Sequence, residues 1–418
     1  MKYKIKVVWL CHLSNSRIRN KLSIDNYSLM AILRKILRRG KPCDFAKWNS
    51  NAIVEFEKFK DIELHIVSPH SYISQDLHEF DINGVKYHIF KSEIDSLWNI
   101  LKFRLFKKNS FKKNSEIINR IIKRIDPQIV HIIGAENPEY GESVLYLDDK
   151  NVKIVSLQTL LRDPIVLNNY PAFRNSDSYR VDLESKIINK VDYVATKSEH
   201  FKSIIREQIN SKIKFLSMSL AVGENPNYEE CEKVYDFVYF AANISKSVDY
   251  AIEAFAIVKK LFPHTSLHVV GGYSRVYMET LKVRMLELGL VSGVDFTGEL
   301  ALHDDVLSEI RKAKFALLPL KSDLISGTIR EAMANGLPVI STKTPATPIL
   351  NSDRESILIS EKGDFIAMAN NMIKLLSDSL YAQMIKDNAY KTINERYSNS
   401  LYMREWKDNY YKIINRTL

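Results

Sequence analysis

Along the whole chain, short runs of β-branched and aromatic residues alternate with longer stretches whose apolar positions recur every three or four residues. This is how a parallel α/β sheet reads in sequence. In the first half the pattern predicts strands at 4–11, 62–68, 86–90, 128–133, 153–158 and 192–196, with helical segments such as 115–125 between them. A second series predicts strands at 236–242, 266–272, 314–320, 337–342 and 356–360. Two series imply two doubly wound domains. A length of 418 residues points the same way, because one hydrophobic core stops growing before that size. The stretch around 211–234 is polar and lacks apolar periodicity, which places the boundary there, and the tail 396–418 returns to a helical pattern rich in Tyr and Trp.

Composition narrows the class. Hydrophobic residues at 45% and charged residues at 26% are ordinary for a globular chain. The net charge of +10 attracts something anionic, whether nucleic acid, phospholipid or a phosphorylated small molecule, without choosing among them. Cys11, Cys43 and Cys231 lie far apart, with neither zinc-site spacing nor a disulfide framework, which fits a reducing cytoplasm. The N-terminal apolar run is too short for a signal peptide, and no later window approaches the length of a membrane span, so membrane contact is expected only at the surface. Residues 99–113 carry six basic and no acidic residues, with Leu and Phe at spacings that share a helix face. That segment reads either as a basic amphipathic helix lying on anionic lipid or as the solvated face of an ordinary helix. No RNA- or DNA-binding signature accompanies the charge, so no nucleic-acid partner is expected.

The richest stretch is Leu317–Thr342, where an apolar run, a polar loop, a helical run, a glycine and a second apolar run make one β-α-β unit. Loops after parallel strands form the ligand crevice of such sheets. A helix starting near Ser326, Gly327 and Thr328 would turn its unpaired N–H groups toward that crevice, where they and the helix dipole suit a phosphate. Two carboxylates, Asp323 and Glu331, flank that start. Each has a plainer reading: Thr328 and Glu331 fit a capping box, and Asp323 fits a turn residue bonding its own loop. Gly336 is placed to end the helix in a left-handed conformation. The Gly271–Gly272 pair after another strand would admit a base or phosphate, or simply make a turn.

The D-x7-E spacing of Asp323 and Glu331, followed by "AMANGLPVIS", resembles the E-x7-E motif of family 4 glycosyltransferases of the GT-B fold. Residues 245–260 and 293–320 are similar to two further segments of that family, and the likeness covers roughly 230–395. The resemblance implies an α/β fold of two Rossmann-like domains facing a cleft, with a C-terminal helix returning to the first. It implies an acceptor-binding domain over 1–217, a nucleotide-sugar-binding domain over 218–395 and the returning helix over 396–418. Glu331 would hold the donor's ribose, Asp323 the transferred sugar, and Lys246 the diphosphate. The family's diphosphate-binding Arg is missing near Asn243, leaving Arg275 or Arg330 to substitute. Ser326, Gly327, Thr328, Gly271 and Gly272 would complete the donor site. In the first half, "DPQIVHIIGAENPEYG" is similar to a family strand and loop that carry a catalytic His, but Ile133 stands at that place. Glu136 and His131 are then the candidates to take the acceptor's proton, His131 being equally a packed core histidine. Arg17 and Arg19, after the first strand, read either as phosphate ligands or as surface arginines.

The implied activity is a retaining transfer of sugar from a UDP-, GDP- or ADP-sugar to a hydroxyl of a glycan or lipid-linked acceptor. No metal or further cofactor is expected, since no D-x-D pair or ligand cluster is present. Its setting would be bacterial surface polysaccharide synthesis in the cytoplasm, peripheral on the inner membrane face. The alternative is a non-catalytic nucleotide-sugar-binding partner protein, motivated by the missing Arg and His and the Asp for Glu exchange.

Overall fold

The computed structural model describes residues 4–24, 43–71, 73–93, 111–164, 166, 178–224, 231–241, 247–321 and 327–417. Two compact units divide the chain: Met1–Ala221 with Asn399–Leu418, and Val222–Ser398.

The first unit is built on an eight-stranded sheet of β1 (Ile5–Leu10), β2 (Ile62–His70), β3 (Leu77–Ile82), β4 (Val85–Lys91), β5 (Ile129–Ile133), β6 (Val152–Ser156), β7 (Tyr193–Ala195) and β8 (Lys214–Leu216). Their order is β3-β4-β2-β1-β5-β6-β7-β8, parallel throughout except for the β3–β4 hairpin at one edge. β1 and β5 are wholly or almost wholly buried, as strands covered on both faces must be. The hairpin turns at Asn83 and Gly84, both with positive φ (54° and 87°), the backbone that an Asn-Gly pair adopts most readily.

The helix Asn399–Ile414 belongs to this first unit. Its Trp406 indole donates to the Ser219 carbonyl at 3.0 Å and its Asn409 amide to the Ser217 carbonyl at 3.0 Å. Tyr410 reaches the sheet interior. Trp9 Nε1–H donates to the Tyr410 hydroxyl at 2.9 Å, so that hydroxyl donates in turn to His131 Nδ1 at 2.6 Å. His131 Nε2–H then donates to Ser156 Oγ at 2.7 Å. One chain of hydrogen bonds thus crosses β1, the C-terminal helix, β5 and β6.

The second unit has an all-parallel sheet of β9 (Tyr235–Phe240), β10 (Leu267–Val270), β11 (Val294–Gly298), β12 (Ala313–Leu318), β13 (Val339–Thr342) and β14 (Leu358–Ser360). The order β11-β10-β9-β12-β13-β14 is that of a Rossmann sheet, with the reversal between β9 and β12. Helices Val248–Leu261 and Phe365–Ser377 pack on it, contributing Phe255, Val258, Met368 and Met372 to one continuous core.

Candidate functional site

In the second unit, β9 and β12 lie side by side, with Ala316 opposite Val238. The chain leaves their carboxyl ends in opposite directions, which makes this the topological switch point where such sheets bind ligands. The segments that follow these two strands are 241–247 and 319–326. Lys246, Asp323 and Ser326, which the sequence analysis placed on these loops, lie outside the described residues. Ser247, at the exit of the first loop, is buried and holds a left-handed φ of 63°, a conformation that costs a non-glycine residue roughly 1–2 kcal/mol.

The helix after β12 begins at Gly327 and runs to Ala334. A Cβ added at Gly327 would meet no atom of the described residues within 4 Å. Thr328 is a residue of the helix, not its cap, and Glu331 does not reach back to make the capping box. Its carboxylate instead leaves the helix: Oε1 accepts from the Gly223 N–H at 2.9 Å and from His303 Nε2 at 2.6 Å. Asn335, one turn on, donates to the Gly223 carbonyl at 3.3 Å and to the Glu331 carbonyl at 2.8 Å. Gly336 ends the helix with φ 72°, the left-handed stop expected of it. Arg330 is buried, whereas Arg275 is exposed at the first position of the Arg275–Glu287 helix.

The glycine pair after β10 answers to local packing. Gly271 (φ 134°) bridges Gly298, and a Cβ on Gly272 would come within 2.8 Å of the Glu299 Cβ. Tyr273 beside them donates its hydroxyl to the Ala241 carbonyl at 2.8 Å, tying this turn to the end of β9.

In the first unit the switch point falls between β1 and β5, and Glu136 stands in the loop after β5. It is only 8% exposed. Asn137 Nδ2 donates to its Oε1 at 3.0 Å, while no described residue bonds Oε2. Burial pushes its carboxyl up to about 7, against the pull of its own backbone N–H, of the Arg180 charge and of Asn137. Gly134 carries φ 99°, and a Cβ there would lie 2.6 Å from Glu136 Oε1, so only glycine leaves the carboxylate its place. The helix Ser178–Lys190 braces this loop: Arg180 donates through Nε and Nη2 to the Glu136 carbonyl at 3.0 and 2.8 Å. One turn further, fully buried Glu184 accepts from the N–H groups of Leu161 and Arg162, and burial pushes its carboxyl up to about 8.

His131, the other candidate proton acceptor, is corrected by the structure. It is 0% exposed, both ring nitrogens are engaged by Tyr410 and Ser156, and burial pulls its pKa down to about 3. A ring so enclosed is a core histidine. Arg17 and Arg19 are also accounted for locally, Arg17 by Glu57 at 2.8 Å and Arg19 by Asp44 at 3.0 Å, Ser14 and the Cys43 carbonyl.

Three residues here escaped the sequence reading. His303 opens the helix His303–Arg311, and its position gave no motif to notice. His12, just past β1, pairs with Glu139 at 3.1 Å beside the Tyr140 ring. Glu184 sits in an ordinary amphipathic segment, and only its burial marks it out. Among the described residues no group of His, Cys, Asp or Glu could hold a metal ion, and no helix is long and apolar enough to cross a membrane.

Two doubly wound units, the second in Rossmann order, make up the GT-B fold. The solved structures agree. Sucrose-phosphate synthase (tll1590) from Thermosynechococcus elongatus is similar over 99% of this chain and 100% of its own, with a TM-score of 0.70 at 13% identity. Anabaena Alr3699/HepE, solved with UDP and glucose, covers 98% and 100% at a TM-score of 0.64 and 12% identity. The lipopolysaccharide outer core galactosyltransferase WaaB covers 99% and 100% at 0.56 and 16%. More particularly, residues 230–392 match the model of the family Glycosyl transferases group 1. No curated protein sequence matches the chain.

Proposed function

We propose that the protein transfers a sugar, with retention of anomeric configuration, from a nucleoside-diphosphate sugar to a hydroxyl of a glycan or lipid-linked acceptor. The observation that carries this reading is Glu331: a carboxylate held at the switch point of a Rossmann-ordered sheet in a group 1 glycosyltransferase domain. In this reading Glu331 accepts from the donor's ribose hydroxyls, and Asp323 contacts the transferred sugar. Lys246 and the helix start at Ser326, Gly327 and Thr328 face the diphosphate, with Arg275 and the Gly271–Gly272 turn at the margin of the same site. The leaving diphosphate gains charge as the glycosidic bond breaks, and cationic and N–H donors fixed around it lower the barrier. The first unit would hold the acceptor. Glu136, whose carboxyl is poised near 7, would take the attacking hydroxyl's proton.

Neighbours of this fold include a lipopolysaccharide galactosyltransferase and a protein solved with UDP and glucose. We extend the proposal to a surface polysaccharide or glycolipid acceptor at the inner membrane face, with residues 99–113 as the contact to anionic lipid; residues 99–110 lie outside the described part.

Thermal stabilisation by UDP, GDP, ADP and their sugars tests the donor site. A ligand at about 100 times its Kd adds about 2.7 kcal/mol, and one nucleotide class should give that response. Glu331→Ala should abolish it; a response surviving that change would reduce Glu331 to a packing residue. Slow hydrolysis of the same donor without acceptor would separate a catalyst from a mere binder.

A further inference from the structure

We propose that His303 and Gly223 form a two-donor clamp on Glu331, making His303 a positioning residue for the ribose diol of the bound nucleotide. This rests on the donor-site reading above and adds to it the residues that aim the carboxylate.

A carboxylate oxygen offers two lone pairs. On Glu331 Oε1 the Gly223 N–H occupies one at 2.9 Å and His303 Nε2–H the other at 2.6 Å. A carboxylate accepts, so the ring nitrogen facing it carries the hydrogen, which fixes the tautomer of a neutral His303 ring. No described residue bonds Oε2. The side chain is 12% exposed. A ligand hydroxyl therefore meets one oxygen already aimed, in place of a side chain that must first give up its rotamer freedom. Gly223 completes the device by having no side chain: a Cβ there would stand 2.2 Å from Oε1 and 3.1 Å from His303 Nε2. Asn335 holds the same glycine from its carbonyl side.

The clamp explains what neither group does alone. Glu331 projects from one helix, His303 starts another, and Gly223 lies just past the point where the chain enters the second unit at Val222. The three come together at this oxygen.

The test is calorimetric titration of the full chain with UDP, GDP and ADP, and with the 2′-deoxy form of whichever binds. His303→Ala should weaken binding about 10-fold or more, the loss expected when a hydrogen bond to a charged group is removed. His303→Gln should stay near wild type, because the Gln amide nitrogen falls where Nε2 does. His303→Asn, whose amide falls short of that place, should behave like His303→Ala. The preference for ribose over deoxyribose should shrink in the Ala and Asn variants and persist in Gln. In donor turnover, KM should rise while kcat holds, since the ribose is gripped alike in ground and transition states. Gly223→Ala should reproduce the KM rise by wedging the carboxylate aside.

If Glu331→Ala abolishes binding while His303→Ala binds like wild type, the clamp is overturned and the donor-site reading stands. Equal behaviour of the Gln and Asn variants overturns it as well. If Glu331→Ala binds normally, the donor-site reading itself falls, and the clamp with it.

Discussion

Glu136 shows how a single carboxyl is tuned by its surroundings. The ordinary glutamate value is 4.5, and enclosure in the loop after β5 moves this one to about 7. A base must be deprotonated to act, so kcat/KM should climb as pH rises through about 7. Glu136→Gln should remove that rise and lower the rate by roughly 100-fold or more, the usual worth of a positioned proton acceptor; an unchanged pH profile would take Glu136 out of the reaction. Its place was legible from the loop after a strand reading "IVHII", because loops at strand ends carry polar groups to ligands. The choice between Glu136 and His131 was not legible, since nothing in the local pattern tells that Tyr410, 279 positions away, fills the space beside the ring. Glu331 was legible by its spacing from Asp323 and "AMANGLPVIS". His303 and Gly223 were not, because a hydrogen bond spanning 28 or 108 positions leaves no trace in a local window.

At the scale of elements, the buried parallel strands announced themselves. β9, β12 and β13 are short apolar runs between helical stretches, and they were placed within two residues or so of where they stand. The strands that were missed sit at sheet edges. β3, β8 and β11 have a neighbour on one side only, so they carry polar residues or run to just three residues and lose the continuous apolar signal. β3 had a signal of its own in the Asn83–Gly84 turn, which the hydrophobic pattern alone overlooks. The helix Asn399–Ile414 was legible as a helix, and its Tyr and Trp content as a sign of burial; its partners were not. Tyr410→Phe tests how much that docking depends on one hydroxyl. The change leaves Trp9 Nε1–H without its acceptor and His131 Nδ1 without its donor, both inside the core. Each orphaned group costs about 1–3 kcal/mol, so the first unit should lose ~2–6 kcal/mol in denaturant unfolding. A loss under about 0.5 kcal/mol would mean the relay is not closed through Tyr410.

For the molecule as a whole, buried titratable groups of opposite kind set the pH range of the first unit. Burial holds His131 and His65 down at about 3 and about 4, below the ordinary 6.5, so their contribution is intact above 6.5 and is lost as pH falls toward those values. Glu136 and Glu184 are held up at about 7 and about 8, above the ordinary 4.5, so theirs is intact below 4.5 and is lost as pH rises through those values. Between about 4.5 and 6.5 the two trends oppose each other, and the unfolding temperature should be level there and fall on both sides. A steady rise from pH 6.5 to 8 would show that the two glutamates are not buried as described. The return of residues 399–414 to the first unit carries a different consequence, one of timing. Chains are made from the N-terminus at about 5–20 residues per second, so roughly 10–40 s pass between the synthesis of Ala221 and that of the closing helix. During that interval the nascent protein has a second unit growing behind an unfinished first one. Trp9 lacks the cover of Trp406 and Tyr410 until residues 399–414 have been made, which makes it a natural hold for a chaperone.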